Sequence, residues 1–120
     1  MIVSVNQPYF APYPGFFYKV HLSDYFVVLD DVQFPRKTTW ITRNRFKNDQ
    51  GTLWMTVPVW KKGLGRQLIR DVRICHTGRW KKKHLRSFQN AYAHAPFLKD
   101  HLDLMRHIFS RQYDGLVDLD

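Results

Sequence analysis

Three prolines and a glycine fall within the eight residues Pro8-Tyr9-Phe10-Ala11-Pro12-Tyr13-Pro14-Gly15. Each proline fixes φ and removes a backbone donor, so this stretch suits neither a strand interior nor a helix interior. It must be a rigid, extended loop that separates the elements on either side. Before it, Ile2-Val3-Ser4-Val5 is a β-branched run that reads as a first strand stopping at Gln7-Pro8. After it, a first helix is expected over Phe16 to Leu22, with Phe16, Phe17 and Val20 inward and Lys19 emerging beside the loop.

Tyr25-Phe26-Val27-Val28-Leu29 is continuously apolar, the pattern of a strand buried on both faces of a mainly parallel sheet. Strand, helix and strand make a βαβ unit. Its second strand runs into Asp30-Asp31 and then Gln33, and open α/β sheets bind ligands at the carboxyl ends of their strands. Two carboxylates are therefore expected opposite the proline loop. From Thr38 the pattern changes: Trp40 to Lys47 and Thr52 to Val59 flank the turn formers Asn48-Asp49-Gln50-Gly51, which predicts a hairpin. Leu68 to Ile74 alternates well enough for a further strand. A helix beginning near Thr77, a candidate N-cap, carries Trp80, His84, Leu85, Phe88, Ala91 and Tyr92 on one side. Another begins at Pro96 and packs through Phe97, Leu102, Met105, Ile108 and Phe109. After Tyr113 no terminal element is expected. The predicted class is α/β: a Rossmann-like βαβ start, a mixed sheet, a β-hairpin insertion and two C-terminal helices in a single domain over 1–120.

A length of 120 residues with 44% apolar and 16% aromatic content supports one packed core and excludes disorder. No stretch is long and apolar enough for a membrane span, and MIVSVNQPYF lacks the features of a secretory leader. The expectation is a cytoplasmic protein with no membrane partner. The single cysteine, Cys75, can form neither an internal disulfide nor a cysteine zinc cluster, and reads as a small residue at a strand end. The net charge of +9 is regional: Arg36 to Arg86 holds fifteen Lys/Arg against Asp49 and Asp71, while the remainder is net acidic. Such a field attracts phosphates, whether of nucleic acid, nucleotide-linked sugars or a phosphorylated cofactor.

Three constellations could carry chemistry. Asn6 and Gln7 open into the rigid loop with Tyr9, Tyr13 and Lys19 close by, amides and phenols that can orient a polar substrate. Asp30 or Asp31 could bind a metal, accept a hydrogen bond from a ribose hydroxyl or act as a base, with Gln33 beside them; capping or pairing with Arg36, Lys37 or Arg43 is the ordinary alternative. On the hairpin, strand alternation puts Arg43, Arg45 and Lys47 on one face and Asn44 and Phe46 on the other, with Trp40 at the start. A row of cations suits phosphate oxygens, and basic strands with aromatics also bind single-stranded nucleic acid. The six histidines lack the four-residue spacing of a helical metal pair, so no zinc site is expected, and His84 reads as a hydrogen-bonded core histidine. Gly-x-Gly-x-x-Gly, Walker and Gly-x-Ser-x-Gly signatures are absent.

The run from Asn6 to Lys19, then SDYFVVLDDVQF, RNRFK, TLWMTVPV, Trp80-Lys81-Lys82-Lys83-His84 and Tyr92-Ala93-His94-Ala95-Pro96-Phe97 resembles the bacterial WbqC-like family over nearly the whole chain. Family members usually carry histidine before Gln-Pro, where this chain has Asn6. The resemblance implies a role in O-antigen (lipopolysaccharide) and other surface-polysaccharide biosynthesis, as a transferase modifying a nucleotide-linked sugar by acyl or aminoacyl transfer. It also implies the amino-terminal portion of a longer protein. The opening strand, Pro/Gly turn and helix look like the start of pantothenate synthetase, whose paired histidines are missing here, so only the architecture is carried over.

The leading expectation is a transferase taking an anionic small-molecule substrate, a nucleotide-linked sugar or acyl donor, with no cofactor assigned. Asn6, Gln7, Asp30 and Asp31 are the catalytic candidates. Tyr9, Tyr13, Lys19, Gln33, Trp40, Arg43, Asn44, Arg45 and Lys47 are the substrate-binding ones. A basic nucleic-acid-binding module and a noncatalytic remnant remain the alternatives.

Overall fold

The structure, a computed structural model, describes residues 1–37 and 39–120; Thr38, where the alternating pattern begins, lies outside the described residues. Strand β1 (Val3–Asn6) leads through the proline loop into α1 (Pro14–His21), and β2 (Tyr25–Val28) returns parallel to β1 with Val3 opposite Tyr25 and Asn6 opposite Val28. The βαβ unit is present. Pro14 sits in the first turn of α1, where a missing N–H costs nothing. The Tyr13 ring lies over Gly15, with ring carbon Cε2 only 2.6 Å from where a Cβ would stand, so a side chain there would displace the ring.

The hairpin is also present: β3 (Arg43–Asn48) and β4 (Gly51–Thr56) pair antiparallel, with Arg45 opposite Trp54. Gly51 takes φ of 121°, which a side chain would strain. However, β1–β2 and β3–β4 form two separate two-stranded sheets, and no single mixed sheet joins them among the described residues. The predicted strand over Leu68 to Ile74 is instead a 3₁₀ turn, Ile69–Asp71, flanked by isolated bridges of Gln33 with Leu68 and Val59 with Ile74. The alternating apolar residues there reflect burial: Ile69, Val72 and Ile74 all point into the core. Among the described residues, pairing in this segment stops at single bridges, to Gln33, Val59 and Gly115.

Helix α2 (Trp80–Ala91) starts later than expected. Thr77 is not its cap: its Oγ1 lies 2.9 Å from the Sγ of half-buried Cys75, and Gly78 turns the chain at φ of 92° before Arg79 takes the cap position. Helix α3 (Leu98–Ser110) begins two residues past Pro96 and leaves Phe97 67% exposed, while Leu102, Met105, Ile108 and Phe109 face inward as predicted. A short helix, α4 (Leu116–Leu119), follows where no element was expected. Its Leu116 is fully buried, and the Leu116 N–H donates to Val72 O.

The core lies entirely on this side of the molecule. Ile41, Met55, Val57, Ile69, Val72, Ile74, Trp80, Phe109 and Leu116 form it, joined by Phe10 and Phe34 from loops next to the βαβ unit. Within β1, α1 and β2 no side chain is fully buried. The expectation that β2 is covered on both faces is overturned, because among the described residues β1 is the one strand paired with it and α1 packs on one side: Tyr25, Val27 and Val28 are exposed. Helix α1 meets the sheet through Phe16, whose ring packs edge-on against Phe26 at 5.3 Å. Phe17 and Val20, expected inward, face out. No helix among the described residues is long and apolar enough to cross a membrane.

Candidate functional site

The proline loop emerges from β1 but is fastened to the hairpin. Phe10 is buried in the core, its N–H donates to Trp40 O at 3.0 Å, and the Asn44 amide Nδ2 donates to Phe10 O at 3.2 Å and Ala11 O at 2.8 Å. Asn44 Oδ1 accepts from the Arg45 N–H at 2.8 Å, so the whole amide is engaged within the chain. Ala11 is held at φ of 45°, a left-handed conformation that costs an L-residue about 1 kcal/mol. Asn44 offsets that cost by bonding the carbonyl that the strained turn presents.

Between loop and hairpin lies a cleft of about 440 Å³ lined by Tyr9, Tyr13, Trp40, Asn44 and Arg45. The structure thus brings together residues of two of the three constellations, the proline loop and the hairpin, but not Asp30 and Asp31. Beside the cleft, the cationic face of β3 lies against Trp54: the Arg43 guanidinium sits 4.0 Å from that ring centroid and Arg45 5.9 Å, while Trp40 lies 5.8 Å from Trp54. Arginines stacked on an indole keep their in-plane donors free for an anion. Trp54 was missed by sequence reasoning. Counting back from the Asn48-Asp49-Gln50-Gly51 turn places it directly opposite Arg45, and that was the available signal.

The other expected residues are placed elsewhere. Lys19 Nζ donates to Val5 O at 2.8 Å and Asn6 Oδ1 at 3.3 Å, and Asn6 Nδ2 donates to Gln7 O. Lys19 and Asn6 therefore brace the end of β1. Gln7 is half-buried next to them. The strand ends are adjacent, since Leu29 N–H donates to Asn6 O at 2.8 Å. Asp30 follows, half-buried, with its backbone carbonyl accepting from Arg70; Asp31 and Gln33 are exposed, and none of the three lines the cleft. Lys47 completes the cationic row at the turn end, also outside the cleft. Among the described residues no three His, Cys or Asp side chains gather as metal ligands.

Behind Asn44 and Arg45 a second, apolar cavity of about 410 Å³ opens, walled by Phe10, Phe46, Met55, Tyr92 and Asp120 among others. Neither Asp120 carboxyl oxygen finds a partner, and burial pushes the group up to about 8. His84 is buried as expected: its Nε2 donates to Thr56 O at 2.7 Å, and burial lowers its pKa against the raising effect of that hydrogen bond, with Lys83 lowering it further.

The chain is thus a mixed α/β protein whose cleft gathers two phenols, an indole and a guanidinium. The chain belongs to the WbqC-like protein family, whose model matches residues 7–120. It is 35% identical over 107 residues to the uncharacterized protein Rv1507c of Mycobacterium tuberculosis, covering 89% of this chain and 46% of that relative, so it spans less than half of the relative's length. No solved structure matches.

Proposed function

We propose that the chain is the amino-terminal part of a transferase acting on a nucleotide-linked sugar in bacterial surface-polysaccharide biosynthesis, transferring an acyl or aminoacyl group. The observation that carries this reading is the cleft between proline loop and hairpin. Its phenol and indole groups suit a sugar ring or base, while Arg45, with Arg43 and Lys47 along the same strand face, suits the phosphates. Asn6, Gln7, Asp30 and Asp31 stand at the adjacent carboxyl ends of β1 and β2, where open α/β sheets engage ligands, and take the reacting end of the substrate. Asn6 orients rather than transfers protons, since an amide has no accessible pKa. The uncovered β1–β2 pair supports reading the βαβ unit as the start of a larger Rossmann-like sheet in a cytoplasmic enzyme.

The test is thermal-shift titration with a panel of nucleotide-sugars. A saturable stabilisation that is reduced in Arg43→Ala/Arg45→Ala and in Tyr13→Ala supports the reading. Absence of any shift across the panel, or a shift the variants leave undiminished, removes it. A second reading, a single-stranded nucleic-acid binder, is favoured by the half-exposed Trp40 and Trp54 beside those arginines. It requires oligonucleotide binding that weakens steeply with salt.

A further inference from the structure

A third cavity is separate from both the cleft and its apolar neighbour. It measures about 580 Å³ and lies between the start of α2 and the end of α3. Its lining contains Arg79, Lys81, Lys82, Arg106 and His76 and no carboxylate. No acidic residue stands in the first turn of α2 either. This cavity shares no residue with the cleft that carries the proposed function, so a ligand here would be independent of one there.

Like charges are concentrated here with little to neutralise them. Lys81 Nζ donates to Arg111 O at 2.7 Å and Gln112 Oε1 at 3.2 Å, which fixes the ammonium across the gap and leaves one proton for a ligand. Arg106 reaches Asp103 at 3.4 Å, but that carboxylate is 92% exposed and on the same helix, so the pair is weak and solvated. Arg79 and Lys82 are exposed, and neither is among the ion pairs of the described residues. Four permanent cations around one concavity repel one another, and a multivalent anion relieves that repulsion.

The walls also indicate what accompanies the anion. Leu85 and Phe109 supply an apolar floor next to Ser110. The indole of Trp80 is only 9% exposed, held between His76 and the rings of His84 and Phe109, so no free aromatic face is offered to a nucleobase strand. A concavity without a free stacking platform differs from the aromatic-lined track of single-strand binders. We propose that this cavity is a second ligand site that binds the diphosphate group of a diphosphate ester, with the cations on the phosphates and the floor against the organic part.

Calorimetric titration at about 50 mM salt, where phosphate contacts are strong, tests this with three probes: inorganic pyrophosphate, uridine diphosphate and a single-stranded oligonucleotide. In the Arg43→Ala/Arg45→Ala background, which removes the cations beside the cleft, uridine diphosphate is expected to bind at one equivalent and more tightly than pyrophosphate. Adding Arg79→Ala/Lys82→Ala to that background is expected to weaken both about tenfold or more, and Arg79→Lys/Lys82→Arg to restore them. Both altered positions are on the surface, and matching thermal melts establish that each variant folds. No binding of either diphosphate in that background overturns the proposal, as does binding that Arg79→Ala/Lys82→Ala leaves unchanged, which puts the anion elsewhere. Equal affinity for pyrophosphate and uridine diphosphate overturns the role of the floor. An oligonucleotide that outcompetes both diphosphates replaces the small ligand with nucleic acid.

Discussion

The βαβ unit and the remainder of the chain are both rich in β-branched and aromatic residues, yet one encloses no fully buried side chain and the other holds the entire core. Burial depends on layers. The hairpin, the 3₁₀ turn and three helices close around one another, while β1 and β2 have a single helix against them. The proline loop carries this difference into the site. It is continuous with the exposed unit, but Phe10 and the Asn44 amide anchor it to the buried one, so the cleft wall takes its position from the hairpin side.

The strongest way to break this contrast is a matched pair of truncations. Ile69→Ala, at a site with no exposure, is expected to cost about 2–5 kcal/mol in chemical denaturation, whereas Val27→Ala in β2 is expected to stay within about 0.5 kcal/mol. Similar losses at the two positions would show that the βαβ unit is covered in solution. Next in size is Asp120. A carboxyl raised from 3.8 to about 8 by burial alone has no effect on stability while it is neutral in both states, below its ordinary range, and costs stability increasingly as pH rises from there to the higher value. Asp120→Asn should therefore raise the unfolding free energy at pH 8, by an amount on the order of a few kcal/mol, and make no difference near pH 3. Asn44→Ala removes both side-chain bonds to the loop and is expected to cost about 1–3 kcal/mol, with faster hydrogen exchange at Phe10 and Ala11.

Two smaller effects sharpen the comparison. His84 has a lowered pKa, so the stability it contributes is present above its ordinary value and lost as pH falls below it. A melting series from about pH 7.5 to about pH 5 should decline less in His84→Gln than in the parent. Gly15→Ala adds a Cβ under the Tyr13 ring while improving helix propensity, so stability should change by less than about 1 kcal/mol. The displaced ring should nonetheless weaken nucleotide-sugar binding. Unchanged affinity would separate Tyr13 from the ligand.

Much of this was legible in sequence, for reasons particular to each element. The prolines announced the loop, Asn48 to Gly51 announced the hairpin, and strand alternation sorted Arg43, Arg45 and Lys47 from Asn44 and Phe46. His84 was legible from its place on an apolar stripe. Tertiary placement was less so. Leu68 to Ile74 carries an alternation that a strand and an irregular buried segment share, and α4 is too short to have a periodicity. The continuous apolar run of β2 marks what a sheet would bury but says nothing about whether a neighbouring strand or helix is there. At the site, loop and hairpin were each legible separately, but the bonds of Asn44 to Phe10 and Ala11 that join them span more than thirty residues of sequence and left no local signal.

The distribution of the indoles has a practical consequence. Trp40 and Trp54 are 45% and 42% exposed beside the cleft, Trp60 is 49% exposed in a connector, and Trp80 is 9% exposed in the core. Trp80 should emit toward the blue and the others toward the red. A ligand seated between loop and hairpin would quench or blue-shift the red component alone, whereas loss of the core would redden the blue one. The intrinsic fluorescence of the chain therefore distinguishes occupancy from unfolding without an added dye.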